Sequence, residues 1–266
     1  MEKIKVMIAG LPGKMATLVA EYVEKAKDME LMSFALSEEA GEMQIGRNKV
    51  YQIALDWHKN KLTELSPNII VDFTQPKSVN RNAELYCQCE VPFVMGTTGG
   101  DRELLRETVE NSDISAVVAP NMAKQIVAFQ AMMEYAAENF PNVFKGYSLE
   151  IVESHQKSKI DTSGTAKAMV KYFNKLGVPF KVEDIVKERD PETQVKLLRV
   201  PSEYLDGHGW HTYTLKSKDG TVLFQFTHNV NGRDIYAQGT LDAIRFLAKH
   251  REEKGRVFSM IDVLKS

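Results

Sequence analysis

From Ile4 to Ala9 the chain is apolar except at Lys5 and stops at Gly10, the pattern of a strand buried in a parallel sheet. A glycine-bearing turn follows. From Lys14 to Lys27 the residues Met15, Leu18, Val19, Tyr22, Val23 and Ala26 recur at three- and four-residue intervals, which predicts an amphipathic helix. Leu31–Leu36, Asn68–Phe73, Pro92–Met95 and Ser115–Ala119 repeat the short apolar pattern, and Ser78–Cys89 and Arg102–Asn111 repeat the helical one. Strands and helices alternating across short turns call for a doubly wound parallel sheet covered on both faces.

From about Tyr147 the strand candidates become longer and alternating. Trp210–Lys216 and Val222–Thr227 flank Lys218-Asp219-Gly220, the signature of an antiparallel hairpin. A helix is expected over Thr165–Leu176 and another over Gly239–Lys249, with a short apolar tail at Val257–Leu264. The resulting expectation is an α/β protein. Its residues 1–122 form a Rossmann-like dinucleotide-binding domain. Residues 123–236 form a second α+β domain, with a mostly antiparallel or mixed sheet. Residues 237–266 return to the first domain. The boundary rests on the change of periodicity, since no linker or repeat marks it.

Composition narrows the function classes. The 266 residues are 43% hydrophobic and 26% charged, enough to bury a core without staples, and a net charge of -2 gives no general attraction to nucleic acid or anionic lipid. No apolar run reaches the length of a membrane span, and Glu2, Lys3 and Lys5 break any signal-like segment. The two cysteines, Cys87 and Cys89, are too close for a relaxed disulfide, and no histidines join them at ligand spacing. These features imply a reducing compartment, no metal, no membrane and no nucleic acid. The expected location is the cytoplasm, or the chloroplast stroma if a transit peptide has been removed.

Gly10-Leu11-Pro12-Gly13-Lys14-Met15-Ala16 opens the first helix directly after the first strand, where free amides and the helix dipole suit a pyrophosphate. Glycines at such turns also serve purely structural ends. The second strand ends at Ser37, followed by Glu38 and Glu39, where an acidic residue usually meets the adenosine ribose. Ser37 would relieve repulsion of a 2′-phosphate while the glutamates argue the other way, and Lys14 is the nearest candidate cation. The balance favours NADPH, with NADH as the alternative. Phe73-Thr74, Gly96-Thr97-Thr98-Gly99 and Ala119-Pro120-Asn121 lie at the carboxyl ends of further predicted strands, where open sheets place ligands.

The segment from Glu150 to Ala166 is the densest in reactive side chains. If it stays extended, His155 and Lys159 share a face, and Ser163-Gly164-Thr165 then begins a helix whose amides and hydroxyls suit a carboxylate. The bland alternative is a helix cap beside a solvated strand. His208, Trp210, His211 and His228 read as structural, and His58 and His250 as solvated.

In order along the chain, these motifs resemble the dihydrodipicolinate reductase family: the glycine loop, Phe-Thr, Gly-Thr-Thr-Gly, Ala-Pro-Asn, Glu-x-His-x-x-x-Lys-x-Asp-x-Ser-Gly-Thr-Ala, and His228 with Arg233 before Gly239. Gln156 stands where many bacterial members have a second histidine, and an arginine- and glycine-rich stretch before the hairpin is missing. With the closing Met260-Ile-Asp-Val-Leu264, these departures resemble the plant-type branch. Met122-Ala123 replaces the more usual Phe-Ser. The resemblance implies reduction of 4-hydroxy-tetrahydrodipicolinate, a small dicarboxylate, by NADPH or NADH on the diaminopimelate route to lysine. It implies His155 as proton donor, Lys159 as the charge that holds the substrate, and Gln156, Ser163, Gly164 and Thr165 as substrate contacts. Cofactor contacts fall on Gly10, Gly13, Lys14, Met15, Ser37, Phe73, Thr74, Gly96, Thr97, Thr98, Ala119, Pro120, Asn121 and Arg233. A homotetramer assembled through the second domain's sheet is the implied assembly. The competing readings are another two-domain nicotinamide oxidoreductase and an NADP-sensing protein without turnover.

Overall fold

The structure is a computed structural model that describes residues 2–54 and 59–266; His58 lies outside them. The chain forms two compact units. One runs to Lys124 and is completed by Asp234–Ser266, and the other is Gln125–Arg233.

The first unit begins with β1 (Ile4–Ala9), α1 (Lys14–Lys25), β2 (Met29–Leu31) and β3 (Phe34–Ser37). It continues with β4 (Gly41–Ile45), β5 (Asn48–Ala54), α2 (Lys59–Leu65), β6 (Ile69–Asp72), α3 (Val79–Gln88), β7 (Phe93–Met95), α4 (Arg102–Glu110) and β8 (Ser115–Val118). The single strand expected over Leu31–Leu36 is two. Met29–Leu31 pairs with the start of β1, whereas Leu36 pairs with Ala9 at its end, and the chain shifts between them at Met32 and Ser33. The β4–β5 hairpin and α2 occupy a stretch whose mixed polarity gives no clean period.

The second unit holds most of α5 (Lys124–Asn139), then β9 (Ser148–His155), α6 (Gly164–Lys175), β10 (Val186–Glu188), α7 (Pro191–Lys196), β11 (His208–Lys216) and β12 (Leu223–Asn231). Its sheet runs β10-β9-β11-β12, parallel at the first pair and antiparallel at the others. The β11–β12 hairpin closes as its sequence indicates: Asp219 accepts the Ser217 and Thr221 hydroxyls, and Gly220 takes φ 73°. Ile151, Tyr213 and Leu215 from the sheet pack with Met169 and Phe173 of α6 and Met133 of α5. Helix α5 has no counterpart in the sequence reading, because its apolar residues surround it: Ile126 and Met133 are buried while Met132 and Tyr135 are 63% and 62% exposed.

The chain then re-enters the first unit with α8 (Asp234–Lys249), β13 (Arg256–Phe258) and α9 (Met260–Leu264), and β13 pairs in parallel with β8. Among the described residues the first sheet runs β13-β8-β7-β6-β1-β3-β5-β4, with β2 beside β1. Among the described strands of this sheet, only β4 is antiparallel to its neighbour. Because β6 lies on one side of β1 and β3 on the other, the carboxyl ends of these strands open on one crevice, the ligand position of doubly wound sheets. No described helix is long and apolar enough to cross a membrane.

Candidate functional site

In the first unit, the turn after β1 is shaped by close backbone approach. Gly10 has φ 107°, and a Cβ there would lie 2.3 Å from the Phe73 carbonyl oxygen, so only glycine lets the two turns meet. The Gly13 amide donates to Gly10 O at 2.8 Å. Gly13 is the N-cap of α1 and offers no side chain to satisfy the helix amides, and the first intrahelical bond runs from Thr17 N to Gly13 O. The amides of Lys14, Met15 and Ala16 therefore remain for an anion. Ser37 Oγ donates to Leu11 O at 2.7 Å and holds this loop from the end of β3. A cavity of about 260 Å³ opens here, lined by the turns after β1, β3 and β6: Gly10–Gly13, Ser37–Glu39 and Phe73–Gln75. Glu38 on its rim is paired with Lys77 at 3.3 Å.

Asp72, wholly buried at the end of β6, joins two of these turns. Its Oδ1 accepts the Thr74 amide and hydroxyl and the Thr97 hydroxyl, and its Oδ2 accepts Asn82 Nδ2 and Tyr86 OH. Burial and the Asp72 charge push the Tyr86 phenol up, so it stays a donor. Gly96 lies under the Phe73 ring, where a Cβ would meet ring carbon at 2.2 Å. Arg102 Nη2 donates to Thr97 O at 2.8 Å, and Ala119 N to Met95 O at 3.0 Å. Asn121 Oδ1 accepts the Ala123 amide and rounds off the turn after β8.

In the second unit the reactive segment does not stay extended. Strand β9 ends at His155 and the chain turns, the Lys159 amide donating to Gln156 O at 2.9 Å, so His155 and Lys159 do not share a strand face. Lys159 instead pairs with Asp161 at 2.8 Å. The helix over Gly164–Lys175 begins with Ser163 as N-cap. The Ser163 hydroxyl makes no cap bond, and its amide is committed to Glu153 Oε2 at 3.0 Å. The free amides are those of Gly164, Thr165 and Ala166. A Cβ on Gly164 would meet nothing within 4 Å, which leaves room for a ligand at the helix end.

Glu153 is 0% exposed, and its Oε1 accepts Arg189 Nη2 at 2.6 Å. The same guanidinium donates to Lys159 O, Glu153 O and Glu188 O. Gln194 Nε2 holds the His155 carbonyl at 2.7 Å. The His155 side chain is 12% exposed, and its Nδ1, 4.0 Å from Glu153 Oε1, has no hydrogen-bond partner. Burial, with Arg189, Lys159 and His208 adding like charge and Asp161 opposing them, holds His155 down at about 3. His211 is pushed well below the usual range by burial and by His228, and His228 to about 4 by burial, so this cluster is uncharged in the unliganded protein at neutral pH. Ligand atoms of Glu153, His155 and His211 come within 4.8 Å of one another. The Glu153 carboxylate of that group is already paired with Arg189.

The expected cofactor residues other than Arg233 fall on five neighbouring strand ends of the first unit, those of β8, β7, β6, β1 and β3, whereas Arg233 belongs to the second, its guanidinium lying against Gly207. His155, Gln156, Lys159 and Ser163–Thr165 are gathered at the junction of β9 and α6. Sequence reasoning missed Asp72, Arg189 and Gln194; the Asp190-Pro191 pair signals only the start of the short helix α7. His208 and His211 are buried, His208 Nε2 lying 2.8 Å from Ser154 Oγ. His250 is not simply solvated: it stacks on Phe246 and lies 2.6 Å from Glu253 Oε1. Cys87 lies half-buried in the last turn of α3 and Cys89 caps the helix, both packed against the core.

Residues 4–122 match the family described as Dihydrodipicolinate reductase, N-terminus, and residues 125–264 match Dihydrodipicolinate reductase, C-terminus. The 4-hydroxy-tetrahydrodipicolinate reductase 2, chloroplastic, of Arabidopsis thaliana is 48% identical over 98% of this chain and 77% of its own length. The probable chloroplastic enzyme 1 of Oryza sativa subsp. japonica is 45% identical over 98% and 78%. Among solved structures, a dipicolinate-bound dihydrodipicolinate reductase from Paenisporosarcina sp. TG-14 aligns over 97% of each chain with TM-score 0.70 and 21% identity, a likeness of fold.

Proposed function

The chain belongs to the dihydrodipicolinate reductase family and is an NAD(P)H-dependent 4-hydroxy-tetrahydrodipicolinate reductase of lysine biosynthesis, and we propose that its first unit holds the cofactor while the β9–α6 junction holds and protonates the substrate. Both competing readings fall away with that membership. The observation that carries the second half is one buried imidazole, His155, bounded by Arg189 and Lys159 and followed within ten residues by an open helix amino end.

The crevice over β1, β3 and β6 fits a dinucleotide: its glycine turn cannot accept a Cβ, and the α1 amides are uncapped. Gly10, Gly13, Lys14 and Met15 would hold the pyrophosphate, Ser37 the adenosine end, and the turns after β6, β7 and β8 the nicotinamide end. Bound there, the nicotinamide supplies the hydride for the substrate ring. The Glu38–Lys77 pair offsets one glutamate at the rim and, with Ser37 uncharged, supports NADPH as the preferred form.

Gly164 and Thr165 take one carboxylate of the dicarboxylate on their amides, Lys159 supplies the countercharge and Gln156 lies beside it. His155 delivers the proton that completes the reduction. It is neutral before substrate arrives, and the substrate's negative charges oppose Arg189 and Lys159, so the imidazole gains its proton as the substrate seats. Homotetramer assembly through the second unit's sheet is supported by β12, an edge strand whose Leu223 is 59% exposed. The chloroplastic names of the plant relatives support a stromal location.

The test is NADPH and NADH oxidation in a coupled assay in which a synthase makes the unstable substrate from pyruvate and aspartate semialdehyde. Synthase-dependent oxidation, faster with NADPH, is the expected result. Folded, cofactor-binding protein that oxidises neither would overturn the reading.

A further inference from the structure

The Glu153–Arg189 pair is hydrogen-bonded to three parts of the substrate half-site. Glu153 Oε2 takes the Ser163 amide at the start of α6, and Oε1 takes Arg189 at 2.6 Å. Arg189 reaches back to the carbonyls of Glu153 and Glu188 and forward to that of Lys159 at 2.9 Å. Strand end, Lys159 turn and helix start are thus joined through one ion pair. Such a pair is costly to bury unless its lone pairs are satisfied, and here four acceptors share the guanidinium.

His155 Nδ1 is buried without a partner, and Glu153 Oε1 is 4.0 Å away. A neutral imidazole can leave Nδ1 as an unused acceptor, but an imidazolium must donate from both nitrogens. Among the described residues, the carboxylate paired with Nδ1 is that of Glu153. Nε2 lies on the other edge of the ring beside Gly209, where a Cβ would come within 3.3 Å of it.

We propose that Glu153, held by Arg189, is the positioning residue of the reductase site: Oε2 fixes the amino end of α6, and Oε1 receives the Nδ1–H of protonated His155, so that the proton given to substrate leaves from Nε2. The proton balance closes: imidazolium loses its Nε2 proton, retains the Nδ1 proton against Glu153, and is reloaded at Nε2 from water. The charged and titratable groups around His155 are Arg189, Lys159, Asp161, His208, His211 and Glu153. Of these, Glu153 and Asp161 are the anions, and Asp161 is already paired with Lys159. The proposal rests on the reductase reading above.

Glu153→Gln keeps the shape and removes the charge. The expected result is a fall in kcat of roughly 100-fold, with KM for NADPH within about twofold and the alkaline limb of the kcat profile moved to lower pH, because the imidazolium loses its counterion. Arg189→Lys keeps the charge but loses the fork, and should raise substrate KM roughly tenfold while NADPH binding is unchanged. A Glu153→Gln protein that binds NADPH and melts normally yet keeps kcat and its alkaline limb overturns the proposal. If that variant does not fold, Arg189→Lys decides alone, and an unchanged substrate KM overturns it. Inactive wild-type protein in the coupled assay would count against the reductase reading instead.

Discussion

Thr97 Oγ1 donates to Asp72 Oδ1 over 2.6 Å and accepts the Thr74 amide at 2.8 Å, so a single hydroxyl joins the turns that follow two neighbouring strands. Asp72 has no solvent to fall back on, since Asn82 and Tyr86 occupy its other oxygen. Asp72→Asn would present donors where five donors already converge. It should cost about 2–4 kcal/mol of stability and weaken NADPH binding roughly tenfold, measured by urea unfolding and by cofactor fluorescence. Tight NADPH binding in the folded variant would show that these turns do not shape the cofactor site.

His155→Ala removes the proposed proton donor without touching the first unit. Turnover should drop by about 10²–10⁴-fold while the dissociation constant for NADPH stays within about twofold. Steady-state rates and a cofactor titration check both halves, and unchanged turnover would sink the assignment of His155.

The alternation of apolar runs with helices was enough to find the first sheet, because strands such as Ile69–Asp72 are buried on both faces and read as continuous apolar segments. Helix α5 escaped because its apolar residues face more than one surface, and the β4–β5 hairpin because Gly41–Ile45 is largely exposed. At the site, the residues near one another in sequence were legible: the glycine loop, and His155 through Thr165. Arg189 was not, since it reaches Glu153 from 36 residues away and nothing in Lys187-Glu188-Arg189-Asp190 distinguishes a buried guanidinium from a solvated one. The face shared by His155 and Lys159 was wrong for a related reason. A strand period holds only while the ladder continues, and β9 stops pairing at His155.

Lys77 pairs with Glu38 on the rim of the cofactor cavity, on a side chain that remains mostly exposed. Lys77→Ala leaves Glu38 uncompensated where a 2′-phosphate would lie. The NADPH-to-NADH ratio of kcat/KM should fall by about threefold to tenfold, the scale of an exposed charge, and the change should shrink as salt is raised. An unchanged ratio would place the 2′-phosphate elsewhere.

Gly209 pairs with His155 across β9 and β11, and an added Cβ would stand 3.3 Å from Nε2. Gly209→Ala should crowd the nitrogen that faces the substrate, lowering kcat/KM for the substrate by about tenfold with little change in melting temperature. Unaltered kinetics would mean that Nε2 points to no reacting group.

The buried histidines set the acid stability of the fold. His155 is held at about 3 against an ordinary 6.5, and His211 is also pushed well down. As pH falls below 6.5 the unfolded chain binds protons that the folded chain refuses. Stability fully present above 6.5 is therefore lost progressively towards the folded values, at about 1.4 kcal/mol per pH unit for each such histidine. Urea unfolding between pH 7.5 and 5, above the range where carboxylates dominate, should show this fall. His211→Asn should flatten the slope by about one histidine's share, whatever its effect on stability at pH 7.5. An identical slope in that variant would mean that His211 takes up its proton as readily in the folded protein as in the unfolded chain, and that burial does not hold it down.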